Sequence, residues 1–190
     1  MRELIAATLL FCAAAAAPVP AQQTVLKLDP AQTRVEFTLH DVLHTVHGTF
    51  KLKSGFIRFD PAGGPASGGW IVDARSGDSG SGARDGRMHK NILESDRYPE
   101  IAFIADRVDG KVSLGGPSQV QVHGIFKIHG ADHELTLPVQ AQFTPGRGTA
   151  TTHFEVPYVK WGMKNPSTLF LRVSDRVEID IRAVGTVSAE

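Results

Sequence analysis

Strict alternation of apolar and polar residues recurs along most of this chain, and it restricts the fold more than any other feature. Val35, Phe37 and Leu39 alternate with Arg34, Glu36 and Thr38, and Val46, Gly48, Phe50 and Leu52 alternate with His47, Thr49, Lys51 and Lys53. The same period of two runs through Val120, Val122, Gly124, Phe126 and Ile128, then Leu135, Leu137, Val139, Ala141 and Phe143. Near the end Val177, Ile179, Ile181 and Ala183 repeat it. Successive side chains of a strand point to opposite faces, so each segment reads as a half-buried strand. Turn signals separate the segments: Asp29-Pro30, Asp60-Pro61, Asp109-Gly110, Gly115-Gly116-Pro117 and Gly130 to Asp132. Many short strands and almost no helix point to an all-β sandwich or antiparallel barrel.

One segment breaks the pattern. "RDGRMHKNILESDRYP" sets Met88, Ile92 and Leu93 at helical spacing and is closed by Pro99, which predicts one short helix over Asp85 to Asp96. The Gly/Ser-rich "SGDSGSGARD" before it reads as a mobile loop.

Residues 1–21 read as a signal peptide. Arg2 supplies a positive start, Leu4 to Ala17 an apolar run, and Val19-Pro20-Ala21 the small residues before a cut expected after Ala21. The run is too short for a permanent membrane helix. It predicts a periplasmic or secreted protein whose residues 22–190 form a single domain. Cys12, the sole cysteine, lies inside the leader, so the mature chain has no disulfide and depends on its core for stability. Removing Arg2 and Glu3 leaves the net charge at zero, and no block of like charge stands out. That excludes nucleic acid as a partner, and equally a polybasic contact with a membrane surface. Oligomeric state has no signal in the sequence.

The chain has eight histidines. On a helix His40, His44 and His47 would share a face and suit a metal; on a strand and its approach loop they do not. His44, His47, His89, His123, His129 and His133 stay open as a metal or haem site assembled in three dimensions, against plain surface histidines. The strand reading favours no metal and no cofactor. "GDSGSG" is similar to the nucleophile loop of chymotrypsin-like proteases, but too little chain precedes Ser79 to supply the upstream His and Asp. No phosphate-cradling Gly-Lys loop and no His-Glu-x-x-His occur. No catalytic residues are expected.

Several stretches together resemble one family, the YceI-like or polyisoprenoid-binding domains. They are "HTVHGTF" followed by "GFIRFDP", "DARSGDSGSGARDGRMHKNILESDRYPEIAF", "VHGIFKIHGADHELTLPV" and "VPYVKWGMKNPS". Arg84-Asp85, Tyr98-Pro99 and the paired Gly124 and Gly130 carry the likeness most firmly. The resemblance implies a lipocalin-like antiparallel β-barrel of about eight strands, export from the cytoplasm, and a long isoprenoid or related lipid in the lumen. It implies no enzymatic activity. The His-rich "LHTVHGTF" and "RMHKNILES" resemble a subgroup, which leaves open whether its ligand is that of the best-known isoprenoid carriers.

A barrel of that size either packs solid or holds one small ligand. The large inward candidates are Phe37, Phe50, Phe59, Trp70, Phe103, Phe126, Leu137, Phe143 and Phe154, as filled core or as apolar lining. A lipid tail gains roughly 0.8 kcal/mol per buried methylene relative to water. Its real competitor is the bilayer, so exchange is near neutral and transient membrane contact is expected. Polar groups at the mouth would only orient a head group. Arg84 is the first candidate and His89 the second. The alternative for Arg84 is a structural ion pair with Asp85 beside the helix. A barrel with a dry core that recruits a protein partner is the remaining class.

Overall fold

The computed structural model describes residues 23–169 and 171–190. The expected signal peptide and Cys12 lie outside the described residues. Among the described residues nine strands form one antiparallel sheet: β1 (Thr24–Leu28), β2 (Arg34–His40), β3 (Thr45–Phe59), β4 (Gly64–Asp78), β5 (Glu100–Asp109), β6 (Pro117–Ile128), β7 (Ala131–Thr144), β8 (Arg147–Val156) and β9 (Val177–Ala189). Neighbours along the chain pair from β2 through β9, and β2 pairs with β9, which closes the sheet into an eight-stave barrel. Closure leaves no unpaired strand edge in the ring.

β1 and β2 share one stave end to end. β1 pairs with the far half of β3 (Thr24 with Phe59) and the end of β9, whereas β2 pairs with the near half of β3 (Val35 with Phe50) and the start of β9. The break falls at the Asp29-Pro30 turn. There the Asp29 N–H donates to the Val184 carbonyl at 2.7 Å, and the Val184 N–H donates to the Thr33 hydroxyl at 3.2 Å. A proline cannot donate to a ladder, so the chain steps out and returns without leaving β9 uncovered.

The inward faces are those that alternation assigns. On β6, Val120, Val122, Phe126 and Ile128 are buried; on β7, Leu137, Ala141 and Phe143 are. Gly130 explains part of the recognisable pattern. With His129 it forms a two-residue hairpin turn with both φ positive, and a Cβ there would meet the Tyr98 ring at 2.5 Å. Gly69 has a similar constraint: a side chain would collide with the Phe103 carbonyl, at 1.8 Å. Gly68 and Gly69 end a register irregularity between β4 and β5, immediately before the inward Trp70.

The helical segment is displaced from its expected Asp85–Asp96 span. An α-helical turn, α1 (Gly82–Arg87), passes directly into a π-helical turn at Met88–Ile92. The Leu93 N–H donates to the Met88 carbonyl, five residues back, at 2.9 Å. This wider turn lets Ile92 and Leu93 straddle Met88 on one face. The Gly/Ser stretch is also shorter as a loop than expected. β4 runs on to Asp78 because the Ser76 hydroxyl substitutes for a ladder group, accepting the Lys51 N–H at 2.7 Å and donating to the Asp73 carbonyl at 2.6 Å. Only residues 79–81 connect strand to helix.

Candidate functional site

The half of the lumen nearer α1 is not filled. A cavity of about 420 Å³ is bounded by inward residues of β2, β3, β4, β8 and β9, roofed by Met88, Ile92 and Leu93, and flanked by Tyr158, Met163 and Leu171 of the β8–β9 connection. Its wall is apolar through Val35, Phe37, Leu39, Val46, Phe50 and Ile179. It reaches solvent where the exposed Ala83, Arg84 and Arg87 line it. The polar lining gathers near that end: Asp41, Ser79, Ser81, Arg84, Arg87 and the phenol of Tyr158.

Each rim group is held by a local cause. Asp41 turns the chain between β2 and β3, accepting the backbone N–H groups of Leu43 at 2.8 Å and His44 at 2.7 Å. Those donors, aided by the charges of His44 and Arg84, hold its carboxyl below the usual carboxylate range. Arg84 and Asp85 converge on the buried Ser79. The Arg84 guanidinium donates from Nε to the Ser79 hydroxyl and from Nη2 to the Ser79 carbonyl, both at 2.7 Å. Asp85 accepts the Ser79 N–H at 2.9 Å and its hydroxyl as well. Arg84 is thus fixed at the mouth through Ser79, with Nη1 uncommitted among the described residues. Tyr158 donates to the Ser174 carbonyl at 2.6 Å, and burial pushes its phenol up to about 12.

The aromatic candidates divide by depth. Phe37 and Phe50, whose rings lie 5.4 Å apart, line the cavity, as do Trp70 and Phe126. Phe59, Phe103, Leu137 and Phe143 face a second, smaller void of about 90 Å³ in the other half of the barrel. Phe154 lines neither and packs edge-on against Phe126 at 5.9 Å. His89 is not in the cavity wall. Its Nε2 lies 2.9 Å from the Gly77 carbonyl and its Nδ1 3.3 Å from the Ser95 hydroxyl, which ties the helical turn to β4. Sequence reasoning did not single out Asp41 or Arg87. Arg87 lies one helical turn beyond Arg84 and shares its face, a spacing that was there to be read.

The histidines are dispersed. His40 and His47 flank the β2–β3 ladder on its outer face, His44 sits in the turn, and His133 stacks on Trp161 with ring centroids 3.9 Å apart. His123 bridges Asp106 at 2.7 Å and Glu134 at 2.9 Å on the outer wall, and the Asp106 bond raises its pKa. Among the described residues no three His, Cys, Asp or Glu side chains come close enough to share a metal.

Comparison with known proteins agrees with this architecture. The family model described as "YceI-like domain" matches residues 26–185. Burkholderia cenocepacia BcnA superposes with a TM-score of 0.69 at 20% identity, over 84% of this chain and 99% of that one. A polyisoprenoid binding domain from Saccharophagus degradans gives 0.65 at 17% identity, over 86% and 98%. The Campylobacter jejuni YceI protein gives 0.55 at 12% identity, over 98% of each chain. At these identities the likeness establishes a shared fold. No curated protein matches.

Proposed function

Because this chain belongs to the family of YceI-like domains, we propose that it is a binding and carrier protein that holds one long apolar chain, a polyisoprenoid or related lipid, inside its barrel. Under this reading it performs no catalysis. The observation that carries the reading is the cavity of about 420 Å³ with aliphatic and aromatic walls and a charged rim. Wells of this kind bind apolar bodies and use a few polar groups for orientation. The described polyisoprenoid binding of the Saccharophagus domain supports the ligand class. Arg84 keeps Nη1 uncommitted among the described residues and Arg87 stands beside it in the lining, which favours an anionic head group.

Loading is proposed to occur at a bilayer surface. Val42 and Leu43 at the β2–β3 turn are 64% and 69% exposed, and Leu169 in the β8–β9 connection is 95% exposed. The two segments touch, the Val42 N–H donating to the Arg172 carbonyl at 3.2 Å, and both border the cavity. Aliphatic tips beside the opening would let a tail pass from membrane to barrel without crossing water, at little net cost. Export to the periplasm or medium follows from the leader pattern of residues 1–21, and an N-terminus at Gln22 on exported protein tests it.

Mass spectrometry of organic extracts from detergent-free native protein should find a stoichiometric apolar lipid. Prenols, prenyl phosphates or quinones should displace a bound fluorescent fatty probe. A folded protein that carries no lipid and takes up none of these ends the carrier reading.

A further inference from the structure

The lumen is two chambers with a floor between them. The wall of the large chamber and the wall of the small one share only Val35 and Trp70. Trp70 is 7% exposed and stacks on Phe103 with centroids 5.8 Å apart, while its edge meets Phe126 at 5.9 Å. Phe126 in turn contacts Phe154 and Trp161 at 5.9 and 5.8 Å. Trp70, with Phe103 on the side of the small chamber and Phe126 on the side of the large one, forms an aromatic floor between the two. The register irregularity and the side-chain-free Gly68-Gly69 pair deliver Trp70 to that position.

Resting on the carrier reading, we infer that Trp70 sets the length of chain this protein encloses. A methylene occupies about as much space as a water molecule, roughly 30 Å³. The outer chamber of about 420 Å³ therefore encloses at least about fourteen carbons. A longer ligand leaves its remaining carbons at the mouth, against Val42, Leu43 and Leu169. The inner chamber of about 90 Å³ would add about three carbons if the floor were opened. The ligand class is accordingly a single chain of moderate length with its head group beside Arg84, or the terminal segment of a longer one whose head group stays outside.

The test is a length series of saturated fatty acids from about eight to about twenty carbons, each titrated below its micellisation threshold. Wild type, Trp70→Ala and Ile179→Phe are compared, with folding followed by circular dichroism. Affinity in the wild type should tighten about fourfold per carbon until the outer chamber is full, at about fourteen carbons or a few more, and then level off. Trp70→Ala should move the break to longer chains by about three carbons or more. Ile179 lines the outer chamber and pairs with Phe37. A larger ring there should move the break to shorter chains by about one carbon. Unbroken tightening through the longest wild-type chain overturns the inference, as does a break at the same length in the folded variants. If Trp70→Ala does not fold, Trp70→Phe, which keeps a ring in the floor, decides, and its break should still move to longer chains than in the wild type. Absence of binding at every length overturns the carrier reading and this inference with it.

Discussion

The two halves of this barrel are built from the same strands and treat their inward residues differently. Toward the closed end Phe59, Phe103, Leu137 and Phe143 interdigitate, with Phe103 and Leu137 only 1% and 2% exposed, and about 90 Å³ remains between them. Toward the mouth Leu39, Phe50, Val177 and Ile179 are half-buried around a void of about 420 Å³. The roof there is a single helical segment resting on the rim. The contrast teaches that an inward position is not yet a core position. Side chains that interdigitate across the staves fill the lumen, and side chains of similar size that stand back under a helical roof leave a well.

A charge placed in each half should separate them most sharply. Leu137→Asp buries an unpaired carboxylate in the packed half, at a cost of at least several kcal/mol, and should abolish folding in a circular dichroism melt. Ile179→Asp in the open half should leave a folded barrel whose cavity is flooded and no longer displaces a fatty probe. If both variants unfold, the halves are alike and the well is an ordinary core.

Truncation should grade the same difference. Phe103→Ala should cost about 3–5 kcal/mol in denaturant unfolding. Leu39→Ala, beside an existing void, should cost under about 2 kcal/mol and alter lipid uptake more than stability. At the rim, Arg84→Ala should leave the affinity for an uncharged prenol nearly unchanged, since the tail supplies it. Preference for a prenyl phosphate should fall by about tenfold or more, as a charge-assisted hydrogen bond is lost; equal loss for both ligands would return Arg84 to a structural role through Ser79.

Smaller effects come from pH. The Tyr158 phenol, pushed up to about 12 by burial, binds its proton more tightly folded than unfolded, where it titrates near 10. Its contribution is complete below pH of about 10 and is lost as pH rises toward about 12. Tyr158→Phe should remove that alkaline dependence and cost about 1 kcal/mol for the bond to Ser174. His123 lies on the outer wall, away from both chambers, and Asp106 raises its pKa. Its stabilisation is present below the unfolded value of about 6.5 and fades as pH climbs through the folded one. His123→Gln should flatten the melting temperature against pH in that window while lipid uptake is unmoved.

Alternation made β2, β3, β6, β7 and β9 and their inward faces legible in the sequence, because side-chain direction in a strand depends only on the residue's parity. The turn signal at Gly130 to Asp132 fell one residue late of the His129-Gly130 hairpin, while the Asp29-Pro30 turn and the presence of one short helix were legible for equally local reasons. The helix limits were not, since the π-helical turn at Met88–Ile92 and the extension of β4 through Ser76 depend on what the segment packs against. Nor was depth along the barrel. Phe37 and Phe143 carry the same alternation signal, yet one lines the well and the other fills the closed end. Depth is set by register between strands far apart in the chain, as when Val35 meets Ile181 and Phe50 at once. The rim was assembled the same way: Asp41, Arg84 and Leu171 come from three separate segments that only closure brings around one mouth. The sequence by itself therefore determined a sheet with one apolar face. Tertiary structure decided where that face touches itself and where it leaves room for a guest, because contact across a barrel is a long-range property that no local period encodes.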